Sequence, residues 1–132
     1  RDPSDEAIHE WRKRVKDHWY QSRLLTPIWP GAMTAHVAAA DALGDLLGDH
    51  HDLAVFRAHL DDLATGEARL ALQSHAAARQ RDIEARAFAL SDRLFAGSSK
   101  SLTRRWGVWW HVWRDETRAL RTPDGSSSSA SG

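Results

Sequence analysis

Residues 9–23, HEWRKRVKDHWYQSR, hold the densest run of groups able to grip an anion. On a helix each residue advances by ~100°, which places Ile8, Trp11, Val15, Trp19 and Ser22 in one arc of roughly 80°. Arg12, Arg23, Lys16, His9, Tyr20 and Lys13 fall in the next arc, roughly 100° wide. Glu10 and Asp17 lie elsewhere, so the cationic row borders the buried face. A solvated helix face normally mixes signs to gain pairs three or four residues apart. Arg12, Lys13, Lys16 and Arg23 do not mix signs in this way, and the central part of their arc holds no acid. Like charges so close repel, and a bound polyanion relieves them. Arginine gives two parallel hydrogen bonds to phosphate and lysine a point charge. His9 and Tyr20 can donate to the same oxygens. The competing reading is that the methylene stems cover a core edge and hold their charges in water.

A second cluster, Asp49-His50-His51-Asp52, has the residue types that bind zinc or iron. Neighbouring histidines on a helix point ~100° apart, so they rarely serve one ion together. No HExxH and no paired Glu-x-x-His is present. A capping or core hydrogen-bonding role is the simpler expectation, with no metal and no cofactor. Phosphate-loop, GxSxG and dinucleotide signatures are also absent, so the expectation is a binding protein and not an enzyme. Two alternatives stay open. One is a metal-dependent phosphohydrolase built on residues 49–52; the other is a nucleic-acid or acidic-protein binding module using the first-helix row. Arg79, Arg86 and Arg93 form a weaker cationic row, because Asp82 and Asp92 are near enough for ordinary surface pairing.

Composition narrows the classes. Eighteen Lys and Arg balance eighteen Asp and Glu in 132 residues, with eight histidines besides. No global positive field attracts nucleic acid, so an anion site must come from local sorting of charge. Without cysteine there is no disulfide, thiolate ligand or cysteine nucleophile, which fits a cytoplasmic protein. No run is apolar enough to span a bilayer and no signal peptide is evident, so no membrane association is expected. The chain begins at Arg1, as expected of a processed product or an excised piece.

The elements that must position these groups read as helices. Pro3 or Asp5 opens the first, and early acids suit its N-terminal dipole. It runs to about Leu25, where Thr26-Pro27-Ile28-Trp29-Pro30-Gly31 stops it. A second segment covers about 34–47 with Ala38, Ala39, Ala42, Leu43, Leu46 and Leu47 as its stripe. Residues 48–52 interrupt the phase, and Leu53, Phe56, Leu60 and Leu63 resume it to about residue 64. This reads as a broken helix pair, capped by Asp49 or Asp52. After a turn at Thr65-Gly66, a long helix spans about 67–95 with Leu72, Ala76, Ile83, Ala87, Leu90 and Leu94 inward. Gly97-Ser98-Ser99 breaks the chain again. The last helix, about 100–121, carries Leu102, Trp106, Trp109, Trp113 and Leu120 on one side, its tryptophans expected in the core. The fold class is therefore all-α: an antiparallel bundle of four to five helices over 1–121, followed by a disordered polar tail or linker at 122–132.

His9-Glu10-Trp11-Arg12-Lys13-Arg14-Val15-Lys16, Trp19-Tyr20 and then Leu46-Leu47-Gly48-Asp49-His50-His51-Asp52-Leu53-Ala54-Val55 resemble the two motifs of the CHAD family, in its order and at about its separation. That α-helical domain is named for its histidines, and the resemblance covers roughly 5–118. It implies half of a two-bundle domain, the C-terminal half, around a basic cavity that binds inorganic polyphosphate. His9, Arg12, Lys16 and Tyr20 match the first-helix pattern. Where many members carry a further cation this chain has Trp19, and Arg23 stands on the same arc as its replacement. His51-Asp52 matches the second motif, where the role looks more structural. The implied polyphosphate set is His9, Arg12, Lys13, Lys16, Tyr20, Arg23, His51 and Arg57. The resemblance further implies a cytoplasmic protein associated with polyphosphate granules. Nucleic acid is a less favoured partner, and a homodimer or a separate half-domain would complete the cavity.

Overall fold

The computed structural model describes residues 3–96 and 99–121. Over these residues the chain is all-α, without strands. Helix α1 spans Asp5–Leu24, a 3-10 turn Thr26–Ile28, α2 Pro30–Ala58, α3 Leu60–Leu63, α4 Gly66–Leu94 and α5 Ser99–Arg121. The expected break at Gly97-Ser98 and the expected tail at 122–132 lie outside the described residues.

Local chemistry explains the ends. The Ser4 hydroxyl oxygen accepts from the Ala7 N–H at 3.1 Å, and Asp5 and Glu6 occupy the first turn, where the helix dipole favours them. Pro27 limits the helix after Leu24 to a single 3-10 turn. Pro30 then starts α2, in the position where its missing N–H costs nothing. Gly66 takes the left-handed φ of 61° that the turn into α4 requires.

One expectation is corrected. Residues 48–52 do not break the chain: α2 is continuous from Pro30 to Ala58. Its buried positions are Met33, Ala40, Leu43, Leu47 and His50, so a histidine continues the apolar stripe and hides its phase. Gly48 is tolerated because α1 needs the space above it, as described below. The interruption falls instead at His59, after which the short α3 begins at Leu60, which is fully buried, while Leu63 at its other end is exposed.

Pairing across the helices shows their directions. His9 meets His51, Arg12 meets Gly48 and His18 meets His36, so α1 and α2 run antiparallel. His50 meets Glu84 and Arg57 meets Gln80, so α2 and α4 do too. Ile8, Val15, Leu43, Leu47 and Ala87 form the core between the three, with Trp11, Leu46, Leu90, Leu94 and Phe95 packed around it. Leu72 lies on the exposed side of α4, while the polar Gln80 is buried in its stripe. On α5, Trp106, Trp109 and Trp113 are only part-buried and Leu120 is 88% exposed. The reason is placement: α5 packs on the 3-10 turn at one end of the bundle, so most of its apolar side has no helix opposite. No helix among the described residues is long and apolar enough to cross a membrane.

Candidate functional site: the groove between α1 and α2

Along one edge of the α1–α2 pair runs a groove of about 680 Å³. Arg12, Lys16 and Trp19 form its α1 wall; Ala40, Asp41, Gly44, Asp45, Gly48, Asp49 and Asp52 form its α2 side. The small residues let the helices approach. A Cβ built on Gly48 would stand 3.4 Å from Arg12 Nε, and one on Gly44 would stand 4.0 Å from Val15. Gly48 thus lets the Arg12 guanidinium lie flat along α2. Arg12 Nε is shielded from solvent and finds no protein acceptor. Arg12 makes no ion pair among the described residues, so no protein carboxylate neutralises its charge.

Of the residues predicted to bind, the groove brings together Arg12 and Lys16, whereas His9 and His51 line a neighbouring pocket with Asp5, Glu6 and Glu10. His9 stacks on His51, ring centroids 4.8 Å apart and planes at 28°. Its Nδ1 is likewise buried without a protein partner. At the other end Arg23 lies over the Trp19 ring at 5.5 Å, a cation–π contact that holds it beside the groove. Tyr20 is exposed. Lys13 departs from the expectation that the row lacks ion pairs: its ammonium binds Glu10 at 3.1 Å on the exposed side. That hydrogen bond, and then the lysine charge, hold the Glu10 carboxyl below its ordinary pKa.

Arg57 does not join the row. Its Nη1 donates to Gln80 Oε1 at 2.6 Å, and the Gln80 amide donates to Asp5 at 3.3 Å and to the His50 carbonyl at 3.2 Å. His50, 1% exposed, points the same way and donates from Nε2 to Glu84 at 2.8 Å, since a carboxylate only accepts. This buried polar belt ties α1, α2 and α4 together. The cluster 49–52 is accordingly split three ways: His50 enters the belt, His51 meets His9, and Asp49 and Asp52 line the groove. Among the described residues no three His, Asp or Glu side chains converge as metal ligands.

Sequence reasoning missed Asp41 and Asp45 as groove residues. Their spacing with Asp49 was legible as one helical face, but only if α2 is read as unbroken. It also missed the pair His18 and His36. Their Nε2 atoms stand 2.7 Å apart, so they share one proton, and Trp106 and Phe95 enclose them. Burial first, and then the neighbouring imidazole, lower the pKa of His18 to about 4. Burial, then the charge of Arg105, lowers that of His36.

Against known proteins, a family model described as the CHAD domain matches residues 1–61, the stretch that contains α1, the 3-10 turn and α2. No curated protein and no solved structure matches the chain. The groove and the two motifs that line it therefore fall inside the stretch that is similar to the CHAD domain family.

Proposed function

We propose that the chain binds inorganic polyphosphate along the α1 wall of the groove, without chemical turnover. The observation that carries this reading is Arg12: a guanidinium laid on Gly48 in the wall of the groove, beside Lys16, with neither cation in an ion pair among the described residues. A guanidinium forms charge-assisted, often paired hydrogen bonds to phosphate. Lys16 and Arg23 supply further charge along α1, and His9 on His51 offers hydrogen-bond donors at the far end of the line. The match of residues 1–61 to the CHAD family model supports phosphate polyanions over other anions, and a chain that binds them would reside with cytoplasmic polyphosphate stores. The scattering of Asp49, His50, His51 and Asp52 disfavours the phosphohydrolase alternative.

The test is a titration of the whole chain with long-chain polyphosphate, read by tryptophan fluorescence through Trp19. Three cations at about 0.7 released counterions each give a log–log salt slope near −2, or about 20-fold weaker binding from ~50 to ~200 mM salt. The Arg12→Ala, Lys16→Ala double variant should lose about tenfold or more in affinity at low salt. Binding indifferent to salt, or unharmed in that variant, overturns the reading. RNA of matched charge competing equally would favour a general nucleic-acid binder instead.

A further inference from the structure

Helix α5 sets Lys100, Arg104, Arg105, Arg114, Arg118 and Arg121 against two acids, Asp115 and Glu116, in a chain that is neutral overall. At ~100° per residue Trp106, Trp109, Trp110 and Trp113 share one arc of roughly 100°. Lys100, Arg104, Arg114, Arg118 and Arg121 share the next, about as wide. Asp115 stands at its margin, 4.0 Å from Arg114. The boundary between the two arcs is open. Beside it, between the end of α1 and α5, lies a groove of about 500 Å³ whose lining includes Leu24, Leu25, Trp106 and Trp110 and no charged residue. Leu24 is exposed. Gly107 also lines the groove, and a Cβ built on it would meet nothing within 4 Å, so the chain's own packing does not require the gap. Arg114 lies over the Trp110 ring at 4.7 Å. From α1 outward the surface runs apolar groove, indole, guanidinium.

That is also the order of depth at a lipid surface: acyl chains, the interfacial zone that indoles prefer, then headgroup phosphate. We propose that the α1–α5 edge binds the surface of a bilayer containing anionic phospholipid. Leu24 and Trp110 enter the acyl boundary, and Lys100, Arg104, Arg114 and Arg121 meet the headgroup phosphates. Charge complementarity selects an anionic leaflet, which attracts each cation close to it. A ligand made of phosphate alone would leave the apolar groove unfilled, and a purely apolar one would leave the cationic arc unused; an anionic lipid surface supplies both parts. The expectation of no membrane association rests on the lack of a spanning run. An amphipathic helix rich in arginine and tryptophan needs none, because it lies in the interface without crossing it. This inference is independent of the polyphosphate reading and uses neither Arg12 nor Lys16.

The experiment is cosedimentation of the whole chain with vesicles of phosphatidylcholine, alone or with phosphatidylserine, at one ionic strength so that screening is matched. Tryptophan emission is the second readout. The chain should bind the phosphatidylserine vesicles at least about tenfold tighter than the neutral ones, with its emission shifted to the blue. Each cation at an anionic leaflet contributes about fivefold, so the Lys100→Gln, Arg104→Gln, Arg121→Gln variant should lose on the order of 100-fold. All three positions are exposed, so helix content should not change. Leu24→Ala, Trp110→Ala should weaken binding about tenfold and reduce the blue shift. Leu24→Ala alone serves in its place, with a smaller change, if the double variant loses its far-ultraviolet helix signal. Binding to neither vesicle, equal binding to both, or anionic binding that survives the three α5 substitutions overturns the inference. Vesicle binding lost in Arg12→Ala, Lys16→Ala and kept in the α5 variant would put the headgroups in the α1–α2 groove and overturn it as well. So would polyglutamate that binds the α5 edge as tightly as the vesicles do, since the surface would then fit an acidic protein.

Discussion

Gly48 decides more at the groove than its size suggests. Glycine inside a helix costs about 0.5–1 kcal/mol relative to alanine, so a substitution that met nothing would stabilise α2. The Cβ of Gly48→Ala would meet the flexible Arg12 guanidinium at 3.4 Å, an ordinary contact that a small shift relieves. That variant should gain up to about 0.5–1 kcal/mol in chemical denaturation and keep most of its anion binding. Gly48→Leu should fill the space and lift Arg12 into water, lowering polyphosphate affinity by about tenfold with the helix content intact. Equal affinity in Gly48→Leu and wild type would show that Arg12 does not work from its place on α2. At this scale the sequence was legible where chemistry follows residue type and angle: the wheel put His9, Arg12, Lys16 and Arg23 on one edge of α1. It was not legible where partners come from other helices. Lys13 found Glu10, Arg57 found Gln80, and His50 found Glu84, the last two across 23 and 34 residues of chain.

At the scale of elements, α1, α4 and α5 could be drawn from apolar spacing and from proline and glycine breaks to within two residues. The middle of α2 could not, because the buried position after Leu47 is a histidine and the next open space is a glycine; both read as interruptions. Their roles appear only once α1 and α4 are in place. The junction of α1, α2 and α5 yields a pH effect. In the unfolded chain a histidine binds its proton near pH 6.5, whereas burial, and then His36, hold His18 to about 4 in the fold. Between those values the unfolded state binds more protons, so stability falls as pH falls. His36 is lowered too and adds in the same direction, with Arg105 from α5 as the charged group facing the pair. His18 is only part-buried, and solvent screening limits the effect to about 1 kcal/mol, or about 4 °C in melting temperature between pH 7 and pH 5. The His18→Gln, His36→Gln variant should lose about that share of the pH slope. A slope identical to wild type would mean that other groups carry the acid sensitivity.

The molecule as a whole is a three-helix core with a fourth long helix leaning on one end. Ile8, Val15, Leu43, Leu47 and Ala87 close the contact between α1, α2 and α4, and the belt from Asp5 through Gln80 to Arg57 and Glu84 locks their far end. Helix α5 has no such layer. It docks by the edge of Trp109 on Trp29 and by Trp106 on His18 and His36. Val108, Val112 and Leu120 face solvent. Local opening takes place where few apolar contacts hold the backbone down, so α5 should open without the rest. In native-state hydrogen exchange the amides of α2 from Leu43 to His50 should report the global unfolding free energy, and those of α5 should exchange at a value at least about 2 kcal/mol lower. Trp106→Ala should lower protection across α5 further while leaving the α2 amides within about 0.5 kcal/mol, because sites without shared partners add independently. Equal protection in α2 and α5 would make the chain one cooperative unit and would assign α5 a share of the core that its packing does not show. The division matters for the groove, whose walls are both in the protected part: a ligand bound there meets a surface already formed, whatever α5 does at the other end of the bundle.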